Sequence, residues 1–97
     1  MTDERLTELL KFQKEHLAIN WNEDDELIKR KMKRSMKYLN DISGSELSFE
    51  DDSIELELMF ERVRYDWNNS LDEFKTNFGA EIRTLILLKA VGKFEEN

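Results

Sequence analysis

The residues able to carry chemistry are few. The chain has one histidine, His16, and no cysteine, so disulfides, thiolate zinc sites, iron–sulfur clusters, thiol nucleophiles and a pair of imidazoles on one metal are all excluded within a single copy. His16 stands beside Glu15 at the end of a helical pattern, where a cation complements the helix dipole. Two acid blocks, Glu23-Asp24-Asp25-Glu26 and Glu50 to Glu57, lack the D-x-[DN]-x-[DN]-G spacing with a distal Glu of an EF-hand loop. Glycoside hydrolysis needs one carboxyl raised in an apolar pocket, and every Asp and Glu here sits in a polar stretch. The sequence thus offers no catalytic, cofactor-binding or metal-ligating set, and no enzyme activity or cofactor is expected. Asn68-Asn69-Ser70 spells a glycosylation sequon, which is set aside because no export signal is read in the chain.

What remains is charge. The formal net charge is −7, which repels nucleic acid and anionic lipid in general. Residues 1–48 hold 9 Lys/Arg and 10 Asp/Glu, whereas residues 49–97 hold 6 and 12, so the second half carries the acidity. Within the first half the cations cluster as Lys29, Arg30, Lys31, Lys33, Arg34 and Lys37. That arc reads as a solvated face, as a docking surface for an acidic protein patch, or as a phosphate-binding face, although the aromatic interleaving of a single-strand binder is reduced to Tyr38.

These residues need elements to position them. At 97 residues and 11.7 kDa the chain fills one core and no second one. With no Pro, three Gly and an abundance of Glu, Lys, Leu and Arg, it reads as all-α, a small bundle of about four helices. Leu6, Leu9, Leu10 and Leu17 mark a first helix over residues 3–16, followed by a tucked connector from Ala18 to Asn22. A second helix over 24–42 places Ile28, Met32, Met36, Leu39 and Ile42 on one arc with the basic arc beside it, and Gly44 closes it. Residues 43–52 form a polar joint with Leu47 and Phe49 as isolated anchors, the expected mobile loop. A third helix over 53–68 has two apolar stripes, Leu56, Met59, Phe60, Val63 and Trp67 against Ile54, Leu58 and Tyr65. Such a helix is central in its bundle or shared with another chain. Ser70 and Glu73 form a capping box for a fourth helix with a stripe of Leu71, Phe74, Phe78, Ile82, Leu85 and Ile86, kinked or split near Gly79. Leu87, Val91 and Phe94 leave that stripe by about half a turn, marking residues 87–97 as a partner-docking tail. No run of about 18 apolar residues suggests a membrane span.

This order of features resembles the head–tail connector (adaptor, head-completion) proteins of tailed bacteriophages over nearly the whole chain. The resemblance rests on LTELLKFQKEHLAIN as a short first helix and on NEDDELIKRKMKRSMKYLNDISG as an acid-started long second helix. It continues through ELELMFERVRYDWNN and SLDEFKTNFGAEIRTLILL, with Phe74 and Phe78 in an F-x-x-x-[YF] segment before a Leu-rich end. The resemblance implies a structural virion protein, assembled in the bacterial host cytoplasm, that forms a ring of about twelve copies beneath the portal. Such a ring extends the DNA channel and joins head to tail. Its partners would be further copies of itself, the portal protein and a tail-side protein, with DNA passing through the lumen without specific binding. A closed ring needs two different complementary patches per subunit, and Lys29, Arg30, Lys33, Arg34 and Lys37 against Glu50, Asp51, Asp52, Glu55 and Glu57 are the expected pair. Two other classes share the composition: a small acidic helical regulator of a host or phage protein, and a DNA-binding regulator reading DNA through the second helix.

Overall fold

A computed structural model of the chain describes residues 1–95, with side chains described through Gly92. All regular structure among the described residues is helical: α1 Asp3–Leu17, α2 Asp25–Ser43, α3 Ile54–Trp67, α4 Leu71–Asn77 and α5 Gly79–Glu95. There are five helices rather than about four because the last expected helix is two.

Each boundary has a local cause. Thr2 caps α1 by accepting from the Arg5 amide at 3.1 Å, with Asp3 and Glu4 in the first turn where the dipole favours them. α1 ends when Ala18 turns left-handed, at φ 56°, and the Ile19 amide reaches back to the Lys14 carbonyl. This closure tucks Ile19 into the core, as the connector requires. Gly44, at φ 66°, ends α2 in the same manner without the Cβ penalty that Ala18 bears. Ser53 caps α3 through the Leu56 amide.

The break between α4 and α5 falls at Phe78, whose backbone leaves the helical region at φ −116°. Its ring stacks on Phe74 at 5.2 Å, and Tyr65 of α3 meets both rings edge-on at 5.9 and 5.7 Å. Packing of the Phe74 and Phe78 rings on Tyr65 of α3 thus holds the split, and Gly79 simply begins α5 without a left-handed backbone. The expected capping box is also not made: the Ser70 hydroxyl donates to the Asn68 carbonyl instead of capping α4.

α3 packs against all four other helices, which answers why it is apolar on two sides. Leu56, Met59, Phe60 and Val63 bury one side and Leu58 the other, while Trp67 is only half-buried at the helix end. Leu6, Leu9 and Leu10 of α1, Ile28, Met32, Met36 and Leu39 of α2, Phe74 of α4, and Ile82 and Leu85 of α5 close around it. Ile86 sits at the edge, 36% exposed, and leaves the core stripe assigned to it.

The joint over 43–52 is pinned rather than loose. Phe49 is 2% exposed, its carbonyl accepts from Arg5 Nη2 at 2.9 Å, and the Leu47 amide donates to Asn40 Oδ1 at 2.9 Å. A polar tie joins α2 to α3 as well, where Lys31 Nζ meets Asp66 Oδ1 at 2.9 Å with both side chains mostly buried.

Three outcomes follow for stability, read by urea denaturation. Phe49→Ala or Phe74→Ala costs about 3–5 kcal/mol, so an unchanged midpoint for either would remove that ring from the core. Gly79→Ala is neutral or stabilising by up to about 1 kcal/mol, since a Cβ there meets only Arg83 Nη1, at 3.4 Å. Asp66→Asn costs about 1.5–3 kcal/mol by stranding the Lys31 ammonium.

Candidate assembly surfaces

The basic arc of α2 divides once the helices pack. Lys29 pairs with Glu26 at 3.6 Å and Lys37 with Asp41 at 2.9 Å, each within α2 itself, and Lys31 is committed to Asp66. Arg30, Lys33 and Arg34 are exposed and make no ion pair among the described residues. Tertiary structure adds a cation that the sequence does not mark: Arg62 of α3 lies against this face. Its Nη1 donates to Ser35 Oγ at 3.0 Å and its guanidinium carbon stands 4.3 Å over the Tyr38 ring. Burial pushes the Arg62 guanidinium below its ordinary value, opposed by Tyr38 and Asp66, and the neighbouring charge of Arg34 acts in the same direction as burial. The signal for it was the polar Ser35 within the apolar arc of α2, which is wholly buried and needs a partner.

The acidic block is smaller than the sequence implies. Glu55 is only 4% exposed, so the fold covers most of this residue and leaves it little surface to contribute to the expected interface set. The reason is register: Glu55 lies between the two apolar stripes of a helix enclosed on several sides. Asp51 pairs with Arg5 at 2.8 Å, and Glu8 shares the same guanidinium at 3.3 Å. The hydrogen bond to Asp51 holds the Arg5 guanidinium above its ordinary value. Glu50, Asp52 and Glu57 remain exposed and make no ion pair among the described residues.

Beside these acids α1 and α3 enclose a groove of about 340 Å³, lined by Glu8, Phe12 and His16 on one side and Leu56 and Phe60 on the other, with Asp51 and Asp52 at one end. Phe12, 47% exposed, forms its lip. His16 stacks on Phe60 with ring centroids 4.7 Å apart and its Nδ1 hydrogen-bonds the Phe12 carbonyl at 2.8 Å, so the imidazole is part of the groove wall. The sequence reading missed Phe12 because it falls outside the Leu stripe of α1, where a lone aromatic is unremarkable.

On α5 the structure leaves Leu87 64%, Leu88 56% and Val91 53% exposed, while Ile82 and Leu85 on the other side enter the core. Leu88 belongs to this surface although its position beside Leu87 hides it in a Leu-Leu pair. The side chain of Phe94, assigned to the same stripe, lies outside the described residues. Arg83 is exposed and Lys89 half-buried along the same helix. Among the described residues no three His, Asp or Glu side chains gather to hold a metal ion, and no helix is long and apolar enough to cross a membrane. Comparison of the chain with protein-family models, with curated proteins and with solved structures gives no match in any of the three.

Proposed function

We propose that this chain is a structural ring subunit of a tailed-phage virion, seated beneath the portal, prolonging the DNA channel and joining head to tail. The observation that carries the reading is the exposed apolar stripe Leu87, Leu88 and Val91 on the side of α5 turned away from the core. An apolar surface left beside a complete core is a protein-contact surface. The unbalanced charges support it too: Arg30, Lys33 and Arg34 on one face and Glu50, Asp52 and Glu57 elsewhere supply the two unlike patches that a closed ring requires. The order of helices, acid-started α2 and Leu-rich end resembles the connector proteins, and from that resemblance come the portal and tail-side partners and the passage of DNA without specific binding. The role is structural, with no reaction attached to it.

Light scattering and electron microscopy of the purified chain, alone and mixed with portal protein, test this. The expected result is a large closed ring, alone or on the portal; a chain that stays monomeric in both conditions overturns it and leaves the regulator reading. The triple variant Arg30→Glu, Lys33→Glu, Arg34→Glu should stay folded, because these side chains lie off the core, yet assemble less well. Each exposed pair contributes only about 0–1 kcal/mol, but repetition around a ring multiplies the loss. Unchanged assembly of a folded variant removes the α2 face from the interface.

A further inference from the structure

The cations of the α2 face are not equivalent. Lys33 and Lys37 line a shallow depression together with Asp3, Asp41 and Glu46, so acids of the same chain already stand beside them. Arg30, Arg34 and Tyr38 follow one another at four-residue spacing, which sets them on one oblique row of the helix. Arg62 of α3 lies over the end of that row, 4.3 Å above the Tyr38 ring. It uses Nη1 on Ser35 and makes no ion pair among the described residues, because the neighbouring Asp66 carboxylate is bonded to Lys31. The charge of Arg34 bears on Arg62 and disfavours its protonated form, as two cations without an anion between them must. Three guanidiniums, one of them held by a ring and a hydroxyl, thus share a corner without a counter-ion among the described residues.

Resting on the ring reading above, we propose that this corner is a carboxylate-binding site filled by Glu50, Asp52 and Glu57 of the next copy, with Arg62 as its fixed anchor beside Arg30 and Arg34. A guanidinium presents two parallel N–H groups to a carboxylate, and one already held on Tyr38 and Ser35 has less freedom to lose on binding than a solvated lysine. An acidic protein patch fits the corner better than a phosphate backbone. Glu26 stands four residues before Arg30 and Asp41 seven after Arg34, both exposed and on the same side of α2. A long polyanion following the helix therefore meets like charge at both ends, on a chain whose net charge is −7. Glu50, Asp52 and Glu57 are a compact group of the right sign, three exposed acids within eight residues and without an ion pair among the described residues. Glu57 precedes Arg62 by five residues, about 140° around α3, so acid and guanidinium lie on different sides of that helix. The contact accordingly links copies head to tail.

Two double variants test the contact. Arg30→Glu with Arg34→Glu makes the corner acidic, and Glu50→Lys with Glu57→Lys makes the acid patch basic. Asp52 is left in place because its backbone is left-handed, at φ 62°, which Asp tolerates. All four substituted side chains are exposed, so circular dichroism should show a native helical fold, and light scattering then reads assembly under the conditions in which the native chain forms rings. The proposal expects that neither double variant assembles alone and that an equimolar mixture does, since each reversed surface then meets its opposite. Arg62→Lys keeps the charge but loses the planar fork, and is expected to raise the concentration for half-assembly by about tenfold, the loss of about one charge-assisted hydrogen bond; native-like assembly of that variant overturns the anchoring role of Arg62. Assembly of either double variant alone, or a mixture that stays apart while the native chain forms rings, overturns the contact and leaves the ring reading standing. Binding of duplex DNA at physiological salt that Arg30→Glu with Arg34→Glu abolishes, while its assembly is unchanged, overturns it in favour of a phosphate ligand. A native chain that is monomeric alone and with portal protein overturns both.

Discussion

Enclosure of α3 is the constraint on which the rest depends. A fourteen-residue helix with apolar side chains on two sides cannot sit at a surface, so four other helices must be arranged around it. Complete burial of a side chain such as Met59 or Val63 stabilises by about 1.5–3 kcal/mol, and both are fully buried here. That enclosure sets the positions of the charged residues in turn. It draws Glu55 inward, lays Arg62 on the α2 face and carries Asp66 within reach of Lys31.

Polar atoms drawn inward with α3 are only partly satisfied. Gln13 is wholly buried and donates from Nε2 to the Phe60 carbonyl at 3.1 Å, while its Oε1 has no protein partner. Asp66 uses Oδ1 for Lys31 and leaves Oδ2 unpaired. Bringing such polar groups inside carries a desolvation cost that a single protein hydrogen bond offsets only in part. The compensation is positional, since Gln13 joins α1 to α3 and Lys31–Asp66 joins α2 to α3, where apolar contact alone would fix the register less strictly.

α5 links fold to function. Its Ile82 and Leu85 side closes the core beside α2 and α3, so the helix is anchored, and its opposite side is left apolar and in water. In the described residues the stripe lies on a helix already formed, and a formed helix loses less freedom on meeting a partner than a disordered tail does. Under the proposed ring reading, α5 would meet its partner as a formed helix rather than as a segment that folds on binding.

By itself the sequence determined the helical class, both ends of α1, α2 and α3 to within one residue, and most of the core. These are local matters: periodicity near 3.6 residues places Leu6, Leu9 and Leu10 or Ile28, Met32 and Leu39 on one face, and Ser53 and Gly44 have the side chain or backbone freedom their caps demand. Tertiary structure alone decided the split at Phe78, the pinning of Phe49 and the inward turn of Glu55. Each depends on residues far away in the chain, namely Tyr65 against Phe74 and Phe78, Arg5 on the Phe49 carbonyl, and the helices around α3. The candidate surfaces divide in the same way. Charge blocks and the α5 stripe were legible because they are contiguous patterns, whereas Arg62 at Tyr38 and the Phe12–His16–Phe60 groove exist only where two helices meet, and the spacing of residues along one helix carries no record of its neighbour.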